Sequence, residues 1–261
     1  MAEPSTPQTF HLWNQLPPEL KTAVIKKMDG IDQLKTRQCS KTEKELVDKL
    51  PIITIQRIKF KIGVDGRTWT KVEQLKQEDS EIKIKNEIGE TIFDIFSNPK
   101  IIVKNFAFFT TSRNVNRELK ELSEAASATN IRLRAECVHF TLFQTSPKTA
   151  TEILGLFDES CIKSIRMTAS FERVVAAMSQ TVQWKRCPEI VICDQKGLRL
   201  DHWSYSMINF SHFERINVMM EMLTEDEACI VIKNMQSKER GFFKIRTALS
   251  IKCDLIMKQL S

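Results

Sequence analysis

The chain has 261 residues, 42% of them hydrophobic and 28% charged, with a formal net charge of +6. This size and balance fit one globular domain plus a small module, and no run reaches the roughly 18 to 20 apolar residues of a membrane-spanning helix. The charge permits attraction to acidic partners without requiring nucleic acid, and the 7 glycines leave little material for phosphate-cradling loops. The 7 cysteines, without paired spacing, point to reduced thiols rather than a disulfide framework.

Residues 1–10 are rich in Pro, Ser and Thr and read as a flexible start. They lack the basic beginning and apolar centre of a secretory signal. An intracellular protein, cytoplasmic or nuclear, is therefore expected. Residues 11–50 read as a three-helix module. Pro17 and Pro18 suit a first helical turn, where a backbone donor is not needed and φ is already set. Leu20, Val24 and Met28 recur four apart and form one apolar stripe, with Ile25 beside it. Asp29-Gly30 is expected to end that helix through a left-handed glycine. Asp32 is expected to cap a second helix carrying Leu34 and Cys39. Ser40 or Thr42 caps a third carrying Leu46, Val47 and Leu50, and Pro51 closes the module. About 35 residues cannot bury a large core alone, so neighbours or a partner must complete it.

Residues 51–95 read as connecting short strands. Ile52 to Ile55, then Ile58, Phe60 and Ile62, suit a strand. Gly63 to Gly66 supplies a turn, and Trp69 to Leu75 is open between strand and helix. Short apolar elements follow at Ile82, Ile84 and Ile88 and from Ile92 to Phe96.

Residues 96–261 alternate between strand and helix. Ile101 to Phe109 is a strand, and Asn114 to Ala126 an amphipathic helix. Val138 to Phe143 is the next strand, and Pro147 starts a helix with Ile153, Leu154 and Phe157 inward. Strands follow at Ser164 to Thr168, Glu189 to Cys193 and Arg215 to Met219. Thr224-Glu225-Asp226-Glu227 is a capping-box start for a helix with Ala228, Val231, Ile232 and Met235 on one face, and Phe242 to Ile251 closes the sheet. Phe140, Ile165, Ile190 and Ile216 take the same place in their strands, 25, 25 and 26 residues apart, and Leu142, Met167, Ile192 and Val218 follow two positions later. A strand and a helix at this period predict a leucine-rich-repeat-like solenoid with a mostly parallel sheet, although the consensus asparagine of true leucine-rich repeats is missing. Thr141, Arg166, Val191 and Asn217 would then face the other, concave side.

Two stretches carry resemblances. The Leu-Pro-x-Glu-Leu opening, the apolar pair Val24 and Ile25, Met28, and Arg37-x-Cys39-Ser40-Lys41 resemble the F-box, which docks on the Skp adaptor of cullin-based ubiquitin ligases. Gln33 and Thr36 depart from leucines usual in that family, and Glu43 stands where an aromatic or aliphatic residue is common. The motif Val182-Gln183-Trp184-Lys185 just before the Cys187 to Cys193 strand, with His212-Phe213-Glu214 and Leu223-Thr224-Glu225-Asp226, resembles the FTH domain. That domain follows an F-box in a family expanded in nematodes. Together the resemblances imply a receptor that does no chemistry itself. It would dock a Skp-family adaptor, and through it a cullin, by Leu16, Pro17, Leu20, Val24, Ile25, Met28 and Leu34. It would hold an unidentified target protein on its second domain, with Thr141, Arg166, Val191 and Asn217 as contact candidates.

Catalytic and ligand-binding alternatives find little material. No nucleophile elbow is present, and His11, His139, His202 and His212 form no linear pattern. Cys137-x-His139 could place two ligands on one face, short of the four that zinc usually takes. Arg132, Arg134, Lys163, Arg166, Lys185 and Arg186 could make a basic stripe, which a solvated helix rim explains as well. No catalytic residue, metal, cofactor, membrane or nucleic-acid partner is expected. The rival reading is a non-degradative scaffold or RNA-regulatory protein with a degenerate F-box, for which Gln33 and Thr36 speak.

Overall fold

The computed structural model describes residues 12–62, 68–73, 82–84, 92, 95–110, 116–142, 146–168, 172–193, 205–220, 223–236 and 241–247. The front forms three helices: α1 (Pro18–Lys27), α2 (Gly30–Cys39) and α3 (Lys41–Asp48). Pro18 occupies the first turn of α1, as its fixed φ favours. Asp29, not Asp32, caps α2 by accepting a hydrogen bond from the Asp32 amide at 2.9 Å. Ser40 caps α3. Gly30 does not end α1 in a left-handed conformation; it opens α2 for a different reason. A Cβ there would stand 2.4 Å from the Thr54 carbonyl oxygen, so glycine is what lets α2 lie directly on the following strand.

That strand is β1 (Ile53–Ile62), and it belongs to a nine-stranded sheet. The hairpin β2 (Thr68–Glu73) and β3 (Ile82–Ile84) runs antiparallel on one side of it. On the other side six strands follow in chain order, all parallel. They are β4 (Ile101–Thr110), β5 (Ala135–Leu142), β6 (Ser164–Thr168), β7 (Glu189–Cys193), β8 (Arg215–Met220) and β9 (Phe242–Thr247). The helices between them are α4 (Asn116–Thr129), α5 (Pro147–Gly155), α6 (Glu172–Met178), α7 (Val182–Arg186) and α8 (Glu225–Gln236). The fold is thus mixed α/β, with seven parallel strands behind a three-helix module. The expected turn at Gly63 to Gly66, and Ile88, Phe143 and residues 248–251, lie outside the described residues.

Six strands share one burial pattern: apolar, two residues, apolar, one residue, apolar. It reads Ile55, Ile58, Phe60; Val103, Phe106, Phe108; Ala135, Val138, Phe140; Ile162, Ile165, Met167; Cys187, Ile190, Ile192; and Phe213, Ile216, Val218, all buried in one core. Strict alternation would send the first member to the opposite face. In β1, β4 and β5 its burial coincides with a break in the ladder, whose register skips Gln56, Lys104 and Glu136. Glu136 accepts from Lys104 and Lys163, each at 2.9 Å, so the break is spanned by charge. These two hydrogen bonds, Lys104's first, hold the Glu136 carboxyl below the usual carboxylate range.

The register corrects one sequence expectation. Ile165, Ile190 and Ile216 do align, but their partner in β5 is Val138, and Phe140 aligns with Met167, Ile192 and Val218. The repeat from β5 to β6 is longer than the later ones, so a uniform period slipped by one pleat.

Trp184 is fully buried and donates its indole N–H to the Asn209 carbonyl at 2.9 Å. Phe210 and Phe213 pack on its ring, centroids 5.9 and 5.3 Å away. Gln183 donates to the Phe157 carbonyl at 3.1 Å, and His212 Nε2, 2.8 Å from the Trp184 carbonyl, donates to it. Lys185 is exposed. The Gln-Trp-Lys motif therefore knits the end of α7 to the loop before β8. Truncation of Trp184 to alanine should cost about 3–5 kcal/mol, read as a lowered urea midpoint. Gly30→Ala should cost about 1–3 kcal/mol, because the added methyl meets backbone rather than a movable side chain.

Candidate functional site

Helix α1 has two faces. Lys21 and Ile25, four residues apart, point into the protein and are buried, Ile25 completely. Leu20 and Val24, also four apart, point outward and are 53% and 41% exposed. Pro17 is exposed beside them and Leu16 half-buried. Leu12, ahead of the helix, is also exposed. A surface helix usually buries its apolar stripe; here part of that stripe is left on the surface.

The sequence-predicted docking set is thus divided. Leu16, Pro17, Leu20 and Val24 lie at the surface. Ile25 does not: one residue further round the helix, it has turned into the core. Met28 and Leu34 are partly buried and pack against that core.

The inner face is held by a polar network that the sequence pattern did not reveal. Lys21 Nζ and Trp13 Nε1 both donate to Glu43 Oε1 at 3.1 Å. The Ser40 hydroxyl donates to the other carboxylate oxygen, Oε2. The Lys21 ammonium also sits 5.5 Å from the Trp13 ring centroid. These partners, Ser40 first and Lys21 second, hold the Glu43 carboxyl down at about 2 against an ordinary 4.5. Gln33, another departure from the F-box pattern, is buried and donates to the carbonyls of Ile25 at 2.9 Å and Met28 at 3.2 Å. It joins the Met28 amide on the Ile25 carbonyl and supplies a donor to the Met28 carbonyl at the end of α1. Thr36 donates to the Asp32 carbonyl at 2.8 Å. The signal available in sequence was Lys21 and Glu43 at otherwise apolar helix positions, each needing the other once buried.

A second network fixes the module to the sheet. Arg37 Nε and Asn98 Nδ2 each donate to Asp48 Oδ1 at 2.8 Å, and Lys100 Nζ donates to the Asp48 carbonyl at 2.7 Å. Arg134, just before β5, donates to the Asn98 carbonyl.

The other expected contact residues lie on the sheet face opposite the apolar triads. One row runs Lys59, Ala107, His139, Arg166, Val191, Asn217 and Lys244. Arg166 is exposed, and Val191 and Asn217 are half-buried. Thr141 is displaced from this row by the same register slip; it pairs with Thr168 and is buried, its hydroxyl 3.4 Å from the Thr168 hydroxyl. Cys137 and His139 share this face, and His139 Nε2 lies 3.2 Å from Thr168 Oγ1. Burial pushes the Cys137 thiol up, which favours its neutral form.

Comparison with known families places this geometry. A model of the F-box domain matches residues 13–54, which hold the three helices and the Glu43 network. A model of the FTH domain matches residues 116–255, more than half of the chain. The chain belongs to the FTH domain family. It is an F-box protein with a C-terminal FTH domain. No curated protein matches it. F-box proteins are typically adaptor or receptor subunits rather than enzymes, and F-box domains generally bind Skp-type adaptors and through them cullins. Among the described residues no helix is long and apolar enough to cross a membrane.

The Glu43 network predicts a pH dependence. A carboxyl whose folded pKa is depressed contributes stability above its unfolded pKa and loses it as pH falls through the folded value. Melting temperature followed by circular dichroism should therefore fall between pH 4.5 and about 2 through this residue. Glu43→Gln, compared with the wild type in the same buffers, should flatten that part of the profile.

Proposed function

We propose that the protein is the substrate-recognition subunit of a Skp-cullin-F-box type ubiquitin ligase, docking the adaptor by residues 11–50 and a target protein by the domain that begins near residue 96. The observation that carries the first half is the exposed pair Leu20 and Val24 on a helix whose other side is anchored by Lys21 and Ile25. The apolar pair, with Leu16 and Pro17, is the kind of compact anchor that dominates binding energy at an interface. Met28 and Leu34 border it and set its shape from below.

The polar departures from the F-box pattern favour this reading over a degenerate module. Gln33, Thr36 and Glu43 each have hydrogen-bond partners that the chain itself supplies. A decayed motif would be expected to leave such groups unsatisfied.

For the second half, we read the parallel sheet and its helices as a leucine-rich-repeat-like stack, in which residues 51–95 join the two parts. Strands in chain order with a repeated apolar triad support it. Target contact is assigned to the face bearing Arg166, Val191 and Asn217, with Thr141 supporting that face from beneath. On this reading the receptor accelerates transfer by holding its target near the ligase and needs no reactive group. The localisation that fits is cytoplasmic or nuclear.

Purified full-length protein should capture a Skp-family adaptor in a pull-down. Leu20→Asp with Val24→Asp should weaken that capture by at least about thirtyfold, the equivalent of about 2 kcal/mol, while the circular dichroism spectrum is unchanged because both side chains already face water. No capture by the wild type would overturn the adaptor reading.

A further inference from the structure

One surface hydroxyl leads directly into the buried charge network of the front module. Ser40 stands between α2 and α3 with extended backbone, φ −161° and ψ 170°. It is exposed, and so are its neighbours Gln38, Cys39, Lys41 and Thr42. Its side chain makes two bonds. The oxygen accepts from the Glu43 amide at 3.3 Å, which caps α3. The proton is donated to Glu43 Oε2.

The carboxylate that receives this proton is buried, and so is its ion-pair partner Lys21. Of the groups that hold Glu43 in its charged form, Ser40 contributes most, ahead of Lys21 and Trp13. Lys21 and Ile25 make the inward side of α1, whose outward side carries Leu20 and Val24. The exposed hydroxyl is therefore one hydrogen bond from Glu43 and two from the helix that bears the apolar pair.

A phosphoryl group on Ser40 would reverse the sense of the first bond. It brings about −1.5 to −2 charges at pH 7 and leaves no hydroxyl proton on Oγ to donate. Two effects then oppose each other. The helix macrodipole favours a phosphate at the start of α3, through partial charges that water and salt screen. Against it, two anions would stand where a hydrogen bond had been. Glu43 cannot swing freely to water, because Lys21 and Trp13 both hold its other oxygen at 3.1 Å. Like charges at contact beside a buried group outweigh a screened dipole. Lys41 and Lys44 are exposed, so their attraction to the phosphate is weakened by water. Arg37 is committed to Asp48 at 2.8 Å.

We propose that Ser40 is a phosphorylation site, at which a protein kinase loosens α1 from its anchor and lowers the affinity of the apolar pair for its partner. Oγ attacks the γ-phosphorus of ATP. The Oγ–P bond forms as the bond from that phosphorus to the β–γ bridging oxygen breaks, ADP leaves with the electron pair, and the hydroxyl proton is released. This regulation deepens the proposed receptor function and rests on it for naming the partner as the adaptor.

The site is tested by incubating the full-length protein in a eukaryotic cell extract with ATP. Phosphate should be found by mass spectrometry in the tryptic peptide Gln38 to Lys41, whose single hydroxyl is that of Ser40. The effect is tested on full-length protein with phosphoserine installed at position 40 during translation. Its melting temperature should fall by at least about 3 °C, and capture of a Skp-family adaptor should weaken at least about tenfold. Phosphatase treatment should restore both, which separates a switch from a chain that failed to fold. Ser40→Ala loses the cap and the proton but adds no charge, and should keep capture within about threefold. In Glu43→Gln the like-charge contact is gone, so phosphoserine should lower neither melting temperature nor capture much further. No phosphate at Ser40, an unchanged melting temperature on phosphorylation, or an effect as large in Ser40→Ala or in Glu43→Gln would each overturn the proposal. If the unmodified protein captures no adaptor, the receptor reading falls, and the melting temperature with its dependence on Glu43 still decides the switch. If it captures the adaptor and phosphoserine leaves that capture unchanged, the switch falls and the receptor stands.

Discussion

The closeness of α2 to β1 is the constraint on which the molecule is organised. Gly30 lets the helix sit against the Thr54 carbonyl, and the apolar residues of the front module then join those of the sheet in one continuous core. About 35 residues cannot bury enough surface to fold alone, and here they do not have to. The Arg37–Asp48 ion pair and the hydrogen bonds from Asn98 and Lys100 to Asp48 lock the far end of α3 to the entry of β4. A module tied down at both places presents α1 at a fixed angle to the sheet.

That attachment explains why α1 divides as it does. The helix must send one face inward to close the module, and Ile25 with the Lys21 ammonium takes that role. A lysine buried in a helix of this size needs a carboxylate, and Glu43 supplies it from α3. Trp13 and Ser40 then occupy acceptor positions on the same carboxylate that water would otherwise fill. With closure met by a charged pair, Leu20 and Val24 are not required inside. The exposed apolar patch therefore does not weaken the fold: the interior is complete without it, and the patch is available to a partner.

Much of this was legible in sequence and some was not. The strands at Ser164 to Thr168 and Glu189 to Cys193 stand where alternation placed them, because short apolar runs bounded by turn residues leave few alternatives. The capping box at Thr224 is present: its amide donates to Glu227 and the Glu227 amide donates back to its hydroxyl. The parallel order of the strands followed from the strand and helix period. Three things were hidden. Phe140 was matched one pleat too far along because the β5 to β6 repeat is longer than its successors. The apolar triads were hidden because their first members break alternation at a point where the ladder is interrupted. Ile25 and Val24 are adjacent apolar residues on one helix, and helical period alone does not say which faces the core. Only the tertiary partner decides, here the packing of α1 on α3 and α2.

Rigidity has a further consequence for a receptor. Two sites joined by a flexible linker meet at an effective concentration that falls as the linker lengthens. Two sites on one body have no such dilution, but they lose the ability to search. A rigid receptor therefore suits a target that brings its own flexible segment.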